Sequence, residues 1–183
     1  MGTLKLTGGT LRSRRVSAPS GRAVRPTPAR VKEALFSILG SHVTGARVLD
    51  LFAGTGALGF EALSRGAAYV TFVEADWPVA AALARTAREF DVAGRSEVIA
   101  APAERIAMRL RERYDLVFAD PPYAMPYPAS TFSALRESGA IDAETLVVYE
   151  HRSAQPAPAD PRFAVVRTAK YGAVALAFLK AAA

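Results

Sequence analysis

Two short runs of this 183-residue chain carry residue types in an order suited to chemistry on a small ligand. The first is Val48-Leu49-Asp50-Leu51-Phe52-Ala53-Gly54-Thr55-Gly56-Ala57-Leu58-Gly59, an apolar strand pattern that runs into a glycine-rich turn and opens a helix. Gly54, Gly56 and Gly59 satisfy G-x-G-x-x-G, and Glu74 falls at the end of the next strand pattern, so the spacing formally matches a dinucleotide fingerprint. Asp50 argues against a dinucleotide. A carboxylate just before the turn repels a pyrophosphate but pairs with a cationic amine, directly or through water. S-adenosylmethionine has such an amine in its methionine moiety and carries no phosphate. Phe52, Ala53, Gly54, Thr55 and Gly56 are then expected to form the loop against that cofactor, with Glu74 accepting its ribose hydroxyls.

The second run, Asp120-Pro121-Pro122-Tyr123, directly follows the apolar stretch Tyr114–Ala119, about seventy residues beyond Asp50. Two successive prolines have rigid φ and no N–H, so they hold the Asp120 carboxylate and the Pro121 carbonyl as fixed acceptors. An exocyclic base amine presents two N–H donors. Held by those acceptors, its nitrogen recovers a lone pair otherwise delocalised into the ring and aims it at a sulfonium methyl. Tyr123 offers a face on which an extruded base stacks, an interaction worth about 1–3 kcal/mol. This chemistry needs neither a metal nor a covalent nucleophile. His42 and His151 lack ligand spacing, so no metal is expected; both histidines read as surface or loop residues. Trp77 reads as packing after the second strand of the main unit.

Both runs must be brought to one edge by the scaffold, and the hydrophobic pattern says how. Short apolar runs alternate with helical patterns: Pro28 to about Leu39, Arg47–Phe52, Leu58–Ser64, Tyr69–Glu74, Pro78–Phe90, Glu97–Ala100, Ala103–Glu112, Tyr114–Ala119, Thr131–Ser138, Thr145–Glu150, Phe163–Thr168 and Ala173–Leu179. Such alternation predicts a doubly wound, mostly parallel α/β sheet, a Rossmann-like arrangement that binds ligands beyond the carboxyl ends of its strands. The final two runs are too close in sequence for a crossover and must pair antiparallel. Thr27 stands where it would cap the first helix, Pro28 being its first residue.

The net charge of +6 is segregated. Lys5, Arg12, Arg14, Arg15, Arg22, Arg25, Arg30 and Lys32 occupy residues 1–32 without one acid, whereas the rest of the chain is slightly acidic. Leu4–Thr7, Gly8-Gly9 and Thr10–Arg12 read as a hairpin around a two-residue turn. Residues 1–27 are therefore expected to form a small basic arm and residues 28–183 the main domain. Arg12, Arg14, Arg15, Arg22, Arg25, Arg30 and Lys32 are the candidate contacts to a polyanion. With no cysteine there is no disulfide framework or thiolate site, and the first residues lack the apolar run of a signal peptide, so a cytoplasmic protein without a membrane span is expected.

These residues together resemble the RsmD family, bacterial methyltransferases of the guanine N2 amine in 16S rRNA. The resemblance covers nearly the whole chain. It rests on Gly8-Gly9 among basic residues, on Arg25-Pro26-Thr27 with Arg30-Val31-Lys32-Glu33-Ala34-Leu35-Phe36, on Asp50 to Gly56, on Glu61-Ala62-Leu63-Ser64-Arg65-Gly66-Ala67, and on Asp120-Pro121-Pro122-Tyr123. It implies a class I, seven-stranded methyltransferase sheet with an antiparallel last strand. It also implies S-adenosyl-L-methionine held by Asp50, Gly54, Gly56 and Glu74, with a guanine amine held by Asp120 and Pro121. The implied substrate is 16S rRNA of the small ribosomal subunit within an assembled particle, and the enzyme is expected to act as a monomer. One departure from the family pattern is Pro102-Ala103, where an Asp or Asn often precedes the alanine and bonds the cofactor adenine. Proline cannot do so, which shifts that contact to the Ala103 N–H or the Glu104 side chain. On motif chemistry alone an adenine-N6 methyltransferase on RNA or DNA stays open. So does a non-catalytic RNA-binding or ribosome-assembly factor that kept the fold.

Overall fold

The computed structural model describes residues 3–17, 28–122 and 124–182. Thr27, Arg22, Arg25 and Tyr123 lie outside them. β1 (Thr3–Lys5) and β2 (Arg15–Ser17) form a small antiparallel sheet, and α1 (Ala29–Leu39) then leads into the main unit. That unit alternates as expected: β3 (Arg47–Leu51), α2 (Ala57–Ser64), β4 (Tyr69–Glu74), α3 (Trp77–Glu89), β5 (Ser96–Ala100), α4 (Ala103–Ile106), β6 (Leu116–Ala119), α5 (Ala129–Glu137), β7 (Leu146–Arg152), β8 (Phe163–Tyr171) and β9 (Val174–Ala181). The seven strands lie in the order β5-β4-β3-β6-β7-β9-β8. Pairing is parallel from β5 to β7, and β9 alone runs against its neighbours. Strand order reverses between β3 and β6, which makes their carboxyl ends the point where an open sheet of this kind leaves a crevice.

Two apolar layers cover the sheet. Val48, Val70, Phe72, Leu116, Phe118 and Val148 face α1, α2 and α3, and Leu49, Leu51, Val117, Ala119, Val147 and Tyr149 face α4 and α5. Every residue of α2 is buried, most of them apolar, with Glu61 and Ser64 the polar exceptions. Its approach to the sheet depends on Gly59, where a Cβ would meet the Phe72 ring, with Cζ at 2.8 Å, and Val70 Cγ1 at 2.9 Å. Gly59→Ala is therefore expected to destabilise the fold by about 1–3 kcal/mol through overpacking, read as a lower urea midpoint at unchanged slope.

The amino-terminal hairpin departs from its expected form. β1 pairs with Arg15–Ser17, Leu4 opposite Val16, and not with Thr10–Arg12. Gly8-Gly9 is no two-residue turn but the place where this segment touches the end of α2. Thr10 N–H donates to the Ser64 carbonyl at 2.8 Å and Leu11 N–H to Ser64 Oγ at 2.8 Å, and a side chain on Gly9 would overlap that carbonyl. Leu6, Leu11 and Val16 join the core layer of α1–α3. The helix expected over Ala103–Glu112 is also shorter. After Ile106 only a 3₁₀ turn, Ala107–Arg109, follows. Ala103, Ala107 and Leu110 are buried as a helical spacing would have it, but Arg113 pairs with Asp115 and Asp142 and so fixes an extended entry into β6.

Candidate active site

Asp50 lies near the carboxyl end of β3 and is only 3% exposed. Its Oδ2 accepts the Gly59 N–H at 2.9 Å, which ties the strand to the first turn of α2. Burial, with the Glu74 charge adding to it, pushes the Asp50 carboxyl up to about 8 even though the Gly59 bond opposes the shift. Glu74 ends β4. Its Oε2 accepts Gly54 N–H at 2.9 Å and its Oε1 accepts Asp76 N–H at 2.7 Å, and burial raises its pKa too. The loop between the two acids is held by Ala53 N–H donating to the Val73 carbonyl at 2.9 Å. Phe52 takes a left-handed φ of 61° and Gly56 one of 74° at the entrance to α2. Gly54 and Thr55 are half-buried between them.

The donor set discriminates between ligands. A buried carboxylate and a half-buried one, each costly to ionise without a counter-charge, suit a ligand that brings a cation and hydroxyl donors and are hostile to a pyrophosphate. A methionine amine and a ribose diol meet that requirement. Of the residues expected at the adenine end, Ala103 is buried at the start of α4 and the Glu104 side chain is exposed. Trp77, expected to pack, is 71% exposed at the first position of α3, because the buried face of that helix is supplied by Val79, Ala80, Leu83 and Ala87.

Asp120, Pro121 and Pro122 leave the carboxyl end of β6, the neighbour of β3, with Pro121 buried and Pro122 exposed. The remaining member of the motif, Tyr123, lies outside the described residues. The register pairs Ala119 with Tyr149 of β7. Burial raises the Tyr149 hydroxyl pKa and the Asp120 carboxylate raises it further, so the phenol and Asp120 sit within electrostatic reach. The register thus sets Asp50 and the glycine loop at the carboxyl end of β3 beside Asp120 at the carboxyl end of β6.

Sequence reasoning misread two residues that the structure buries. His151, expected on the surface, is 4% exposed within β7, because β7 lies between β6 and β9 and both of its faces are covered. Lys32, expected to contact a polyanion, is fully buried. It donates to the Lys5 carbonyl at 2.8 Å and lies 3.6 Å from the equally buried Glu61. Glu61 also accepts from Thr7 N–H, Thr7 Oγ1, Gly8 N–H and Arg65 Nε. Burial alone would raise its pKa, but these donors and the Lys32 charge hold it below the usual carboxylate range. Lys32 therefore locks the hairpin to α1 and α2. A charge such as Glu61 inside a wholly buried helix signals that a partner must exist. Arg12, Arg14, Arg15 and Arg30 are exposed as expected. Among the described residues no group of three or more His, Asp or Glu side chains is gathered as a metal would require, and no helix is long and apolar enough to cross a membrane.

Known proteins share this arrangement. The chain is 34% identical over 160 residues to the ribosomal RNA small subunit methyltransferase D of Escherichia coli K12, covering 87% of this chain and 80% of that one. It is 30% identical over 151 residues to the putative rRNA methyltransferase YlbH of Bacillus subtilis, covering 81% and 82%. The solved structure of the putative methyltransferase yhhF from Escherichia coli superposes with a TM-score of 0.86 at 32% identity, over 98% of both chains. The model of the family described as Conserved hypothetical protein 95 matches residues 4–180, and the chain belongs to that family, which is the RsmD methyltransferase family.

Proposed function

We propose that this chain transfers the methyl group of S-adenosyl-L-methionine to the exocyclic N2 amine of one guanine in 16S rRNA of the small ribosomal subunit, acting as a monomer in the cytoplasm. The observation that carries this reading is the placement of Asp120 and Pro121 at the end of β6, beside the end of β3 with its buried Asp50. When bound, the cofactor supplies an electrophilic methyl on sulfur. Asp50 pairs with its amine, Glu74 accepts its ribose hydroxyls, and the backbone from Phe52 to Gly56 lines it, with Ala103 and Glu104 at the adenine end. Asp120 and the Pro121 carbonyl accept the two N–H groups of the target amine and fix the direction of its lone pair. Pro122 stiffens that loop, and Tyr123 stacks on the extruded base.

Residues 1–27 serve as the RNA-binding arm of a methyltransferase domain spanning 28–183, with Arg12, Arg14, Arg15, Arg22 and Arg25 as its phosphate contacts and Arg30 of α1 adding another. Arg14 lies over the Phe90 ring at 5.4 Å and donates to the Glu89 carbonyl, at the opposite end of α3 from Glu74. That helix has 13 residues and is therefore about 20 Å long. The arm thus grips backbone far from the target base, which suits a folded RNA more than an isolated nucleotide. Reversing the charge of Arg12, Arg14 and Arg15 together is expected to weaken RNA binding and reduce the salt slope by about one unit per lost phosphate contact. An unchanged slope in a filter-binding titration would reduce that cluster to a solvated surface.

The deciding experiment offers labelled S-adenosyl-L-methionine with unmodified small subunits, free 16S RNA and duplex DNA, and identifies and maps the product nucleoside by mass spectrometry. N2-methylguanosine from the subunits establishes the reading. N6-methyladenine replaces the substrate, and tight cofactor binding without transfer to any of the three favours a binding factor.

A further inference from the structure

Beyond Asp120, the end of β7 carries a buried polar atom that the methyl-transfer site as described leaves unused. His151 is 4% exposed, and its ring stacks on Tyr149 with 5.6 Å between centroids and 12° between planes. Its Nδ1 lies 3.0 Å from the Arg152 carbonyl. A carbonyl only accepts, so Nδ1 carries the proton, and Nε2 of the neutral ring is an acceptor. Burial, aided by the Lys170 charge, lowers the His151 pKa and keeps the ring neutral. Nε2 is buried and has no hydrogen-bond partner. A buried acceptor left unpaired keeps its full desolvation cost, and buried side-chain polar atoms are as a rule hydrogen-bonded.

Its position relative to the target amine gives it a use. The β6–β7 ladder ends at Ala119 and Tyr149; one and two residues further, Asp120 and Pro121 leave β6 while Glu150 and His151 continue β7. Neighbouring strands lie about 4.8 Å apart, a separation at which two acceptors can take adjacent donors on one edge of a base. The edge of guanine that presents the N2 amine also presents N1–H, a donor. Adenine at the same ring position has only an acceptor. We infer that His151 is a specificity residue of the base pocket, its Nε2 accepting the guanine N1–H while Asp120 and Pro121 hold the N2 amine. The inference rests on the guanine-N2 reading and deepens it: Asp120 and Pro121 select an amine, and His151 selects the purine that bears it. Tyr149, stacked under the imidazole and within reach of Asp120, sets the ring plane.

The test uses 16S RNA ligated with 2-aminopurine riboside at the mapped position and assembled into subunits. That base keeps the N2 amine but lacks the N1 proton. Wild-type enzyme is expected to favour guanine over 2-aminopurine by about 10–100-fold in kcat/KM, because a site built to bond a donor rejects an analogue without it. In His151→Phe that preference should collapse to within about threefold, with 2-aminopurine still methylated at close to the wild-type rate. His151→Gln, whose amide offers donor or acceptor, should retain a preference of a few-fold, and it carries the test if the phenylalanine variant does not fold. Equal loss on both bases, with the preference intact in the variants, would make His151 structural only and overturn the assignment. N6-methyladenine as the wild-type product would overturn the guanine reading, and the His151 role would fall with it.

Discussion

Replacing Asp120 by alanine is expected to lower kcat by about 10³-fold while S-adenosyl-L-methionine binds within about twofold of wild type. The separation of effects follows from the fold. Asp120 leaves β6, whereas the acids assigned to the cofactor end β3 and β4 on the other side of the switch point. Removing Asp120 takes away one of two acceptors that restrain the amine, so the nitrogen stays conjugated with its ring and its lone pair is not directed at the methyl. A merely structural role would lower thermal stability and cofactor affinity together. Single-turnover transfer with saturating cofactor, alongside calorimetric titration of the same preparation, separates the two. Equal loss of cofactor affinity in Asp120→Ala would defeat the division of labour between the β3 and β6 ends.

The sheet and the placement of the acids at its carboxyl edge were legible because each signal was local. Asp50 and Glu74 stand at the ends of apolar strand runs, and a carboxylate there is rarely idle. Asp120-Pro121 likewise follows a run whose burial is set by four apolar residues in succession, Leu116–Ala119. What escaped the sequence depended on contacts across long separations. Lys32 looked like one more base in a basic segment, yet its partner Glu61 lies on α2, and the pair is buried with the hairpin closing over it. Gly8-Gly9 suggested a turn because glycine permits one; the structure uses the missing side chains for contact with Ser64. His151 sits in a strand whose neighbours come from residues 116–119 and 174–179, so nothing near it in sequence announces that both faces are covered. The α4 pattern was ambiguous because Ala103, Ala107 and Leu110 need anchoring whether or not the turns between them remain α-helical.

Asp50, too, has contacts remote in sequence, and they give it a measurable pH signature. Asp50→Asn keeps an oxygen able to accept the Gly59 N–H, so the strand–helix tie survives while the charge is lost. Affinity for S-adenosyl-L-methionine is expected to fall about 10–100-fold, the weight of a buried charge-assisted contact. In the unliganded protein the carboxyl is pushed up to about 8, so near neutral pH it must release a proton before it can pair with the cofactor amine. That amine has an ordinary pKa of about 8, and wild-type affinity should therefore rise toward pH 8 and decline above it. The asparagine variant should lose the acidic limb. The sign for stability runs the other way. Below the ordinary aspartate range both folded and unfolded chains hold the proton; between that range and about 8 only the folded chain does. The contribution of Asp50 to unliganded stability is thus full in acid and lost as pH rises through about 8. Cofactor binding supplies the missing counter-charge, so the thermal shift on adding S-adenosyl-L-methionine should grow between pH 6 and 8 in wild type and stay flat in Asp50→Asn. A shift that grows equally in both proteins would place the cofactor amine away from Asp50.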